Sequence, residues 1–574
     1  MKKRMIGGLA ALAAFSLVLS GCARADEDPN STSDGGTEHL DITANEINPK
    51  DYDELGEGGT LRLGNNAYPA NFNTASNDGN EKNTVAIMNA VYPNLYTYTA
   101  DGQIVANDLY TESLELTSES PMTITVKLKE GITWSDGTPL DWTSVKNSAD
   151  AMVNPDFDVA SREGWELIDS VEQGDNEYTA VITLKEGEIY ADWQGLVSAM
   201  PDALVESPDM FNSGWVEKPL VTAGPYKIDK ADGANKVVTL VPDENWNGDR
   251  KARLDRISFT TYEDPQASAT AFQDGQLDMV DAGTQAVYTV VSPQVESGDY
   301  ELRSAAGPDW THFTLNGSEG NILADQNLRQ AFNYAIDRKS IFQALNGTMP
   351  YPDGMADDLL GNHMLVQNQN GYENNAGDYG TADVEKAKEL IEASGWEMGD
   401  DGYYAKDGET LTVRYVYNAG SQTNGTVAPI ATENLKEAGI ELKIEQVPPT
   451  DLFSKYVIPG DYDVTLFGWA GNPFVTSSVS IWKSDGEQNF SGVGNDELDS
   501  TLDELNATTD PDQQITLLNE ADQQLWEVAG NLPLFQAYDF FVADPDLANL
   551  GAPGFASIPD WTMVGFVEGA DNLS

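Results

Sequence analysis

Side chains able to do chemistry are few and widely spaced. The 574-residue chain holds one cysteine, Cys22, and three histidines, His39, His312 and His363, against 94 aspartates and glutamates. A catalytic nucleophile needs a base beside it, and a hydrolytic metal needs ligands at fixed spacing. The sequence contains no G-x-S-x-G elbow, no H-E-x-x-H and no phosphate-binding P-loop. Gly492-Val493-Gly494 lacks the third glycine of a dinucleotide loop, and Asp51-Tyr52-Asp53-Glu54-Leu55-Gly56 departs from a calcium loop at Leu55. With 94 carboxylates present, pairs suited to acid–base work carry little information. One cysteine permits neither a disulfide framework nor a thiolate metal site. The expectation is therefore a non-enzyme without cofactor, catalytic residue or bound metal, whose chemistry is recognition.

The strongest recognition candidate is Gly468-Trp469-Ala470-Gly471-Asn472-Pro473-Phe474. It follows a short apolar run at 463–467, and ligands of α/β sheets sit beyond strand ends. Core packing is the competing reading for Trp469. Tyr68, Asn71 and Phe72, in the loop after the first strand, add aromatic walls and amides, with polar loop-filling as the alternative. Asn316, at the end of a strand over 311–315, is a further candidate.

The amino terminus carries a different chemistry. Lys2, Lys3 and Arg4 precede an apolar stretch over 5–19. That stretch is shorter than the roughly 20 residues a spanning helix requires. It reads as a secretion signal, residues 1–21, removed from the mature protein. Leu19-Ser20-Gly21-Cys22 closely resembles the lipobox of bacterial lipoproteins, which implies a diacylglyceryl group on Cys22. Ala23-Arg24-Ala25 leaves open an ordinary cleavage that would release a soluble protein. Residues 23–57 are polar and acidic, unable to bury a core, and read as a tether reaching on the order of 30 Å.

The charge balance, 32 basic against 94 acidic residues and net −62, repels nucleic acid and anionic lipid headgroups. Hydrophobic content of 40% over this length suggests two to four lobes. Periodicity then locates the elements that must carry the site. Leu61 and Leu63 begin a strand, 83–92 reads as a helix, and 123–129 and 178–184 alternate as strands. Leu328, Ala331, Phe332, Ala335 and Ile336 share a helical face, as do Val384, Ala387, Leu390 and Ile391 before Gly395. A helix ends at Gly439, and Ile440, Leu442 and Ile444 alternate as a strand. The mixture predicts α/β lobes.

Several motifs follow one another in the order found in one family. They include Gly58-Gly59-Thr60-Leu61, the run Leu128-Lys129-Glu130-Gly131-Ile132-Thr133-Trp134-Ser135-Asp136-Gly137-Thr138-Pro139-Leu140, and Ala223-Gly224-Pro225-Tyr226. Further on come Leu328-Arg329-Gln330-Ala331-Phe332-Asn333-Tyr334-Ala335-Ile336-Asp337-Arg338 and Tyr462-Asp463-Val464-Thr465-Leu466-Phe467-Gly468-Trp469. Each alone is explained by packing or turn chemistry. Together they resemble the family 5 extracellular solute-binding proteins, the peptide receptors of ABC importers.

That resemblance implies a two-lobed, type II periplasmic-binding-protein-like α/β fold with an extra domain, hinged around a central ligand cleft. By segment, lobe I would be 58–93, 221–306 and 533–574, its extra domain 94–220, and lobe II 307–532. The hinge would be crossed near 305–310 and 532–535. The implied partners are a peptide, permease subunits with their ATPases, and the membrane through the lipid anchor, for a monomeric receptor that binds no nucleic acid. The implied site is the backbone of Gly468 and Ala470 beside a Trp469 pocket wall. The family's amine-pairing aspartate, three residues after the tryptophan, is Asn472 here, which brings no charge and puts amine-anchored binding in doubt. An oligosaccharide or metal-chelate receptor of the same fold, and a secreted hydrolase, are the competing functions.

Overall fold

Strict alternation of apolar residues builds the smaller of the two main sheets. In the computed structural model, which describes residue 42 and residues 45–573, Met122, Ile124, Val126 and Leu128 of strand Met122–Leu128 are all buried. This strand sits between Thr111–Glu119 and Thr179–Leu184, and Ile168–Gln173 completes an antiparallel four-stranded sheet. The turn-rich segment after it folds under Trp134, which is 1% exposed and donates its indole N–H to Ser144 Oγ at 3.0 Å. All described residues belong to one compact unit, Asp41–Ser574. Cys22, His39 and the signal segment lie outside them.

The larger sheet has ten strands. Its order is Glu441–Val447, Thr412–Asn418, Val464–Trp469, Glu301–Leu315, Asn531–Ala543, Met279–Asp281, Thr60–Asn65, Arg256–Thr261, Val237–Pro242 and Tyr226–Asp232. Each flank contains a parallel pair, Thr412–Asn418 with Glu441–Val447 and Thr60–Asn65 with Arg256–Thr261. Between the flanks run two long antiparallel strands, Glu301–Leu315 and Asn531–Ala543. Their register breaks between Ala306 and Trp310, where Gly307, Pro308 and Asp309 have no opposite partner. Pro308 has no N–H to donate to a ladder, so a break belongs here. Buried Gln536 replaces the lost backbone bonds: its side-chain amide donates to Gly307 O at 2.6 Å and to Asn368 Oδ1 at 2.6 Å, and it accepts from Gln367 N–H at 2.8 Å.

Helices cover the sheet where the 3.6-residue pattern requires. Gln326–Ala335 starts at Asp325, whose carboxylate accepts from Asn327 N–H at 2.9 Å, and buries Leu328, Ala331 and Phe332. Its buried Arg329 donates to Val528 O, Leu323 O and Ala324 O, which ties the helix to its neighbours through carbonyls rather than ion pairs. Val384–Ala393 and Gln422–Glu437 are closed by Gly395 and Gly439 at φ +79° and +78°, a conformation that costs glycine least. Among the described residues no helix is long and apolar enough to cross a membrane.

Three expectations change. The helix expected over 83–92 is Lys82–Met88, because Ala90 and Val91 pack against Gly224, where a side chain would lie 2.5 Å from Val91 Cα. The strand expected over 311–315 is the end of a 15-residue strand, hidden by the Gly307-Pro308 interruption of its pattern. Residues 46–57 are not tether. Glu46 and Ala552 exchange backbone bonds at 2.8 and 3.0 Å, Lys50 N–H donates to Asn549 Oδ1 at 2.9 Å, and Leu55 is 4% exposed. Backbone bonding holds this segment, and composition does not register it.

Candidate functional site

The Gly468-Trp469 pair lies inside strand Val464–Trp469 rather than after it. Gly468 is opposite Thr311 and Trp469 opposite Trp310. The other edge of the strand pairs with Thr412–Asn418 only at Val464. Beyond it, Thr465 and Leu466 are buried and Leu466 O accepts from the Asn424 side-chain amide at 3.5 Å, whereas Phe467 to Trp469 are at least partly exposed and have no strand partner on that edge among the described residues, so this end can accept an added extended chain.

The loop that follows is held to the break in the long strands. Gly471 N–H donates to Pro308 O at 3.2 Å, and a Cβ at Gly471 would lie 2.4 Å from that oxygen, so only glycine fits. Asn472 Oδ1 accepts from Phe474 N–H at 2.9 Å and from the Ser477 hydroxyl at 3.0 Å. A backbone N–H can only donate, so Phe474 fixes which amide atom is the oxygen. The single Ser477 hydroxyl proton is shared with Phe474 O at 2.7 Å, so the Phe474 N–H is the firm partner of this oxygen, and the exposed Asn472 also offers a ligand its NH2 donors. The loop thus takes up part of the acceptor capacity that Asn472 was expected to offer an ammonium.

Behind this loop is a cavity of about 240 Å³. Trp310, Trp469, Phe474 and Trp482 form aromatic walls, Val366, Ile481 and Leu518 apolar ones, and Gln369, Asn472 and Gln488 supply amides. Trp482 stacks on Trp310 with centroids 6.3 Å apart, and Trp469 stacks between His312 and Phe490, each at 6.0 Å. The buried indole N–H groups of Trp469 and Trp482 find no acceptor among the described residues. Among the described residues no Asp, Glu, Lys or Arg lines the cavity. Its histidine, His363, is engaged by Asp522 Oδ1 at 2.7 Å and Asn531 O at 3.3 Å. Burial lowers the pKa of nearby His312 to about 3, which keeps its imidazole neutral. Among the described residues no group of three His, Cys, Asp or Glu is arranged for a metal ion.

The loop is also covered from the side of the smaller sheet. Asp192, 5% exposed, accepts at Oδ2 from Thr476 N–H at 2.9 Å and from the Thr476 hydroxyl. Burial pushes the Asp192 carboxyl up to about 6, although the Thr476 bonds oppose the shift. Phe474 stands edge-on to Tyr96 and Tyr98, with centroids 6.0 and 6.4 Å away.

Trp469, Ala470 and Asn472 thus meet at one cavity, with Gly468 adjoining. The other candidates are elsewhere and engaged. Phe72 is fully buried in the main core. Asn71 is 1% exposed, donates to Asn212 O at 2.9 Å and accepts from Asn73 N–H at 3.0 Å. Asn316 is 2% exposed and donates to Gly460 O and Tyr462 O, each at 2.9 Å. Half-buried Tyr68 packs beside Gly233. Trp310 and Trp482 went unselected because aromatic residues at strand and helix positions read as core. Asp192 has no sequence signal among so many carboxylates.

Two α/β lobes spanned by paired strands, with a cavity at a strand end, define a type II periplasmic-binding-protein fold. The sequence model of bacterial extracellular solute-binding proteins, family 5 Middle, matches residues 106–491. The oligopeptide-binding protein OppA of Mycobacterium tuberculosis is 32% identical over 561 residues, covering 96% of this chain and 92% of that protein. The chain belongs to the family 5 extracellular solute-binding proteins. Among solved structures, the periplasmic EDTA-binding protein EppA superposes with TM-score 0.79 at 23% identity, covering 93% of this chain and 100% of that one. Oligopeptide-binding AppA of Bacillus subtilis, in complex with a nonapeptide, superposes with TM-score 0.67 at 19% identity, covering 90% and 100%.

Proposed function

We propose that this chain is the membrane-anchored receptor of an ABC importer, capturing peptides between its lobes and delivering them to permease subunits with their ATPases. The observation that carries the peptide reading is the exposed, unpartnered strand end at 467–469, which lies beside an uncharged, aromatic-walled cavity. An extended peptide would bond its backbone to that edge and place one uncharged side chain in the cavity. At about 240 Å³ the cavity is below the roughly 300–1,000 Å³ that encloses a whole small-molecule ligand, which suits a part of a longer one. The OppA similarity supports the same class of ligand. An anionic metal chelate would need cationic partners, and the lining has none.

The receptor performs no reaction. A ligand touching both lobes stabilises the closed form, and the permease would discriminate closed from open. Lipid on Cys22 would keep the receptor near its transporter. The decisive experiment is mass spectrometry of whatever co-purifies with the protein. A heterogeneous set of short peptides is expected; a single sugar or chelate would overturn the reading. Trp469→Ala should weaken peptide binding about tenfold or more, as loss of a buried aromatic anchor does, with little change in melting temperature. A large melting change with unaltered affinity would assign Trp469 to the core. For the anchor, Cys22→Ala should move the protein from membranes to the medium.

A further inference from the structure

We propose that Asp192 is a positioning residue that fastens the ligand loop from across the cleft and so helps to set the closed state. The inference rests on the receptor reading above, in which 94–220 and 307–532 face each other across a closing cleft. Asp192 follows the smaller sheet and Thr476 follows the ligand strand, 284 residues apart in sequence. Among the described residues its buried carboxylate has no cation within ion-pair distance; what stabilises it is the N–H and hydroxyl of Thr476, with the backbone of Val475 adding to them. A buried carboxylate without a counter-charge is costly unless hydrogen bonds replace its water. When the lobes separate, water regains the carboxylate and Thr476 loses its acceptor. The contact thus has two discrete arrangements, hydrated or bonded, as a switching element requires.

The position of the contact gives it leverage on the ligand. Thr476 is four residues from Asn472 and two from Phe474, both of which line the cavity. Ser477 binds Asn472 Oδ1 from the same turn. Fastening Thr476 therefore restrains the residues that close the cavity mouth. Tyr96 and Tyr98, edge-on to Phe474, form the apolar half of the same contact.

The test compares Asp192→Ala with Asp192→Asn in the full chain. Amide hydrogen exchange over 470–478 is measured on the protein as purified, with whatever ligand it carries, and retention of peptides from a tryptic casein digest is measured separately. Asp192→Ala should speed exchange over 470–478, leave strand Met122–Leu128 protected, and lower peptide retention about tenfold. Asp192→Asn keeps an acceptor for Thr476 N–H and should stay within about threefold of the parent. Unchanged exchange and retention in Asp192→Ala would overturn the proposal. So would loss of protection throughout the smaller sheet in both variants, which would make Asp192 a residue of that fold alone. If the parent retains no digest peptide, the peptide reading fails while the exchange result still judges the contact.

Discussion

Asn472 shows how one side chain can be read two ways. In sequence it is an amide where the family resemblance implies a carboxylate. In the structure its oxygen is a loop constituent, bonded to Phe474 and Ser477. Asn472→Asp would keep both bonds, since a carboxylate accepts them equally, and would add a charge at the cavity mouth. We expect peptides with a free amino terminus to gain about 1 kcal/mol over N-acetylated ones of the same sequence. Calorimetry with one such pair measures this, and an unchanged ratio would place the ligand's amine elsewhere. Trp469 was legible because it ends an apolar strand. Trp310 and Trp482 were not, because a tryptophan's type does not tell a cavity wall from a core.

The break at Gly307-Pro308-Asp309 is the element that joins strand architecture to the site. Paired strands transmit motion stiffly; in the proposed receptor, unpaired residues there would allow the lobes to rotate. The ligand loop is bonded to the break through Gly471 and Pro308 O. Gly471→Ala should displace the loop, lowering peptide affinity about tenfold while shifting the melting temperature by only a few degrees. Calorimetric titration and thermal unfolding on one preparation would show both. Equal affinity would mean that the loop is not held by this bond. The helices and short strands of this region follow apolar periodicity and were largely readable. The long strands were not, because proline and glycine interrupt the pattern that identifies a strand.

At the scale of the molecule, the proposed closure would be coupled to charge. Burial at the contact with Thr476 raises the Asp192 carboxyl from 3.8 to about 6, with the Glu163 charge adding to the rise and Tyr190 as a near neighbour. If the open form leaves this carboxyl near its ordinary value, closing takes up a proton between those limits. Closure contributed by Asp192 is then fully present below about pH 4, falls as the pH rises towards about 6, and is level above it. Peptide affinity should follow that slope, and Asp192→Asn should flatten it. Binding isotherms from pH 4.5 to 7.5 would decide the matter. The net charge of −62 predicts a second effect. Raising salt from about 10 mM to about 150 mM shortens the screening length from about 30 to about 8 Å and relieves self-repulsion, so the melting temperature should rise.

Local pattern was enough to determine a mixed α/β protein and to single out the end of strand Val464–Trp469 as the candidate site, since alternation, helical spacing and turn residues act over a few positions. An expected export signal and lipid site at Cys22 are likewise local, and they lie outside the described residues. The tertiary structure alone decided which candidates share a cavity. It buried Phe72, Asn71 and Asn316, brought Trp310 and Trp482 to Trp469, and set Asp192 on Thr476. Those juxtapositions depend on strand pairing between segments hundreds of residues apart. Residue type and short-range spacing carry no record of such pairing.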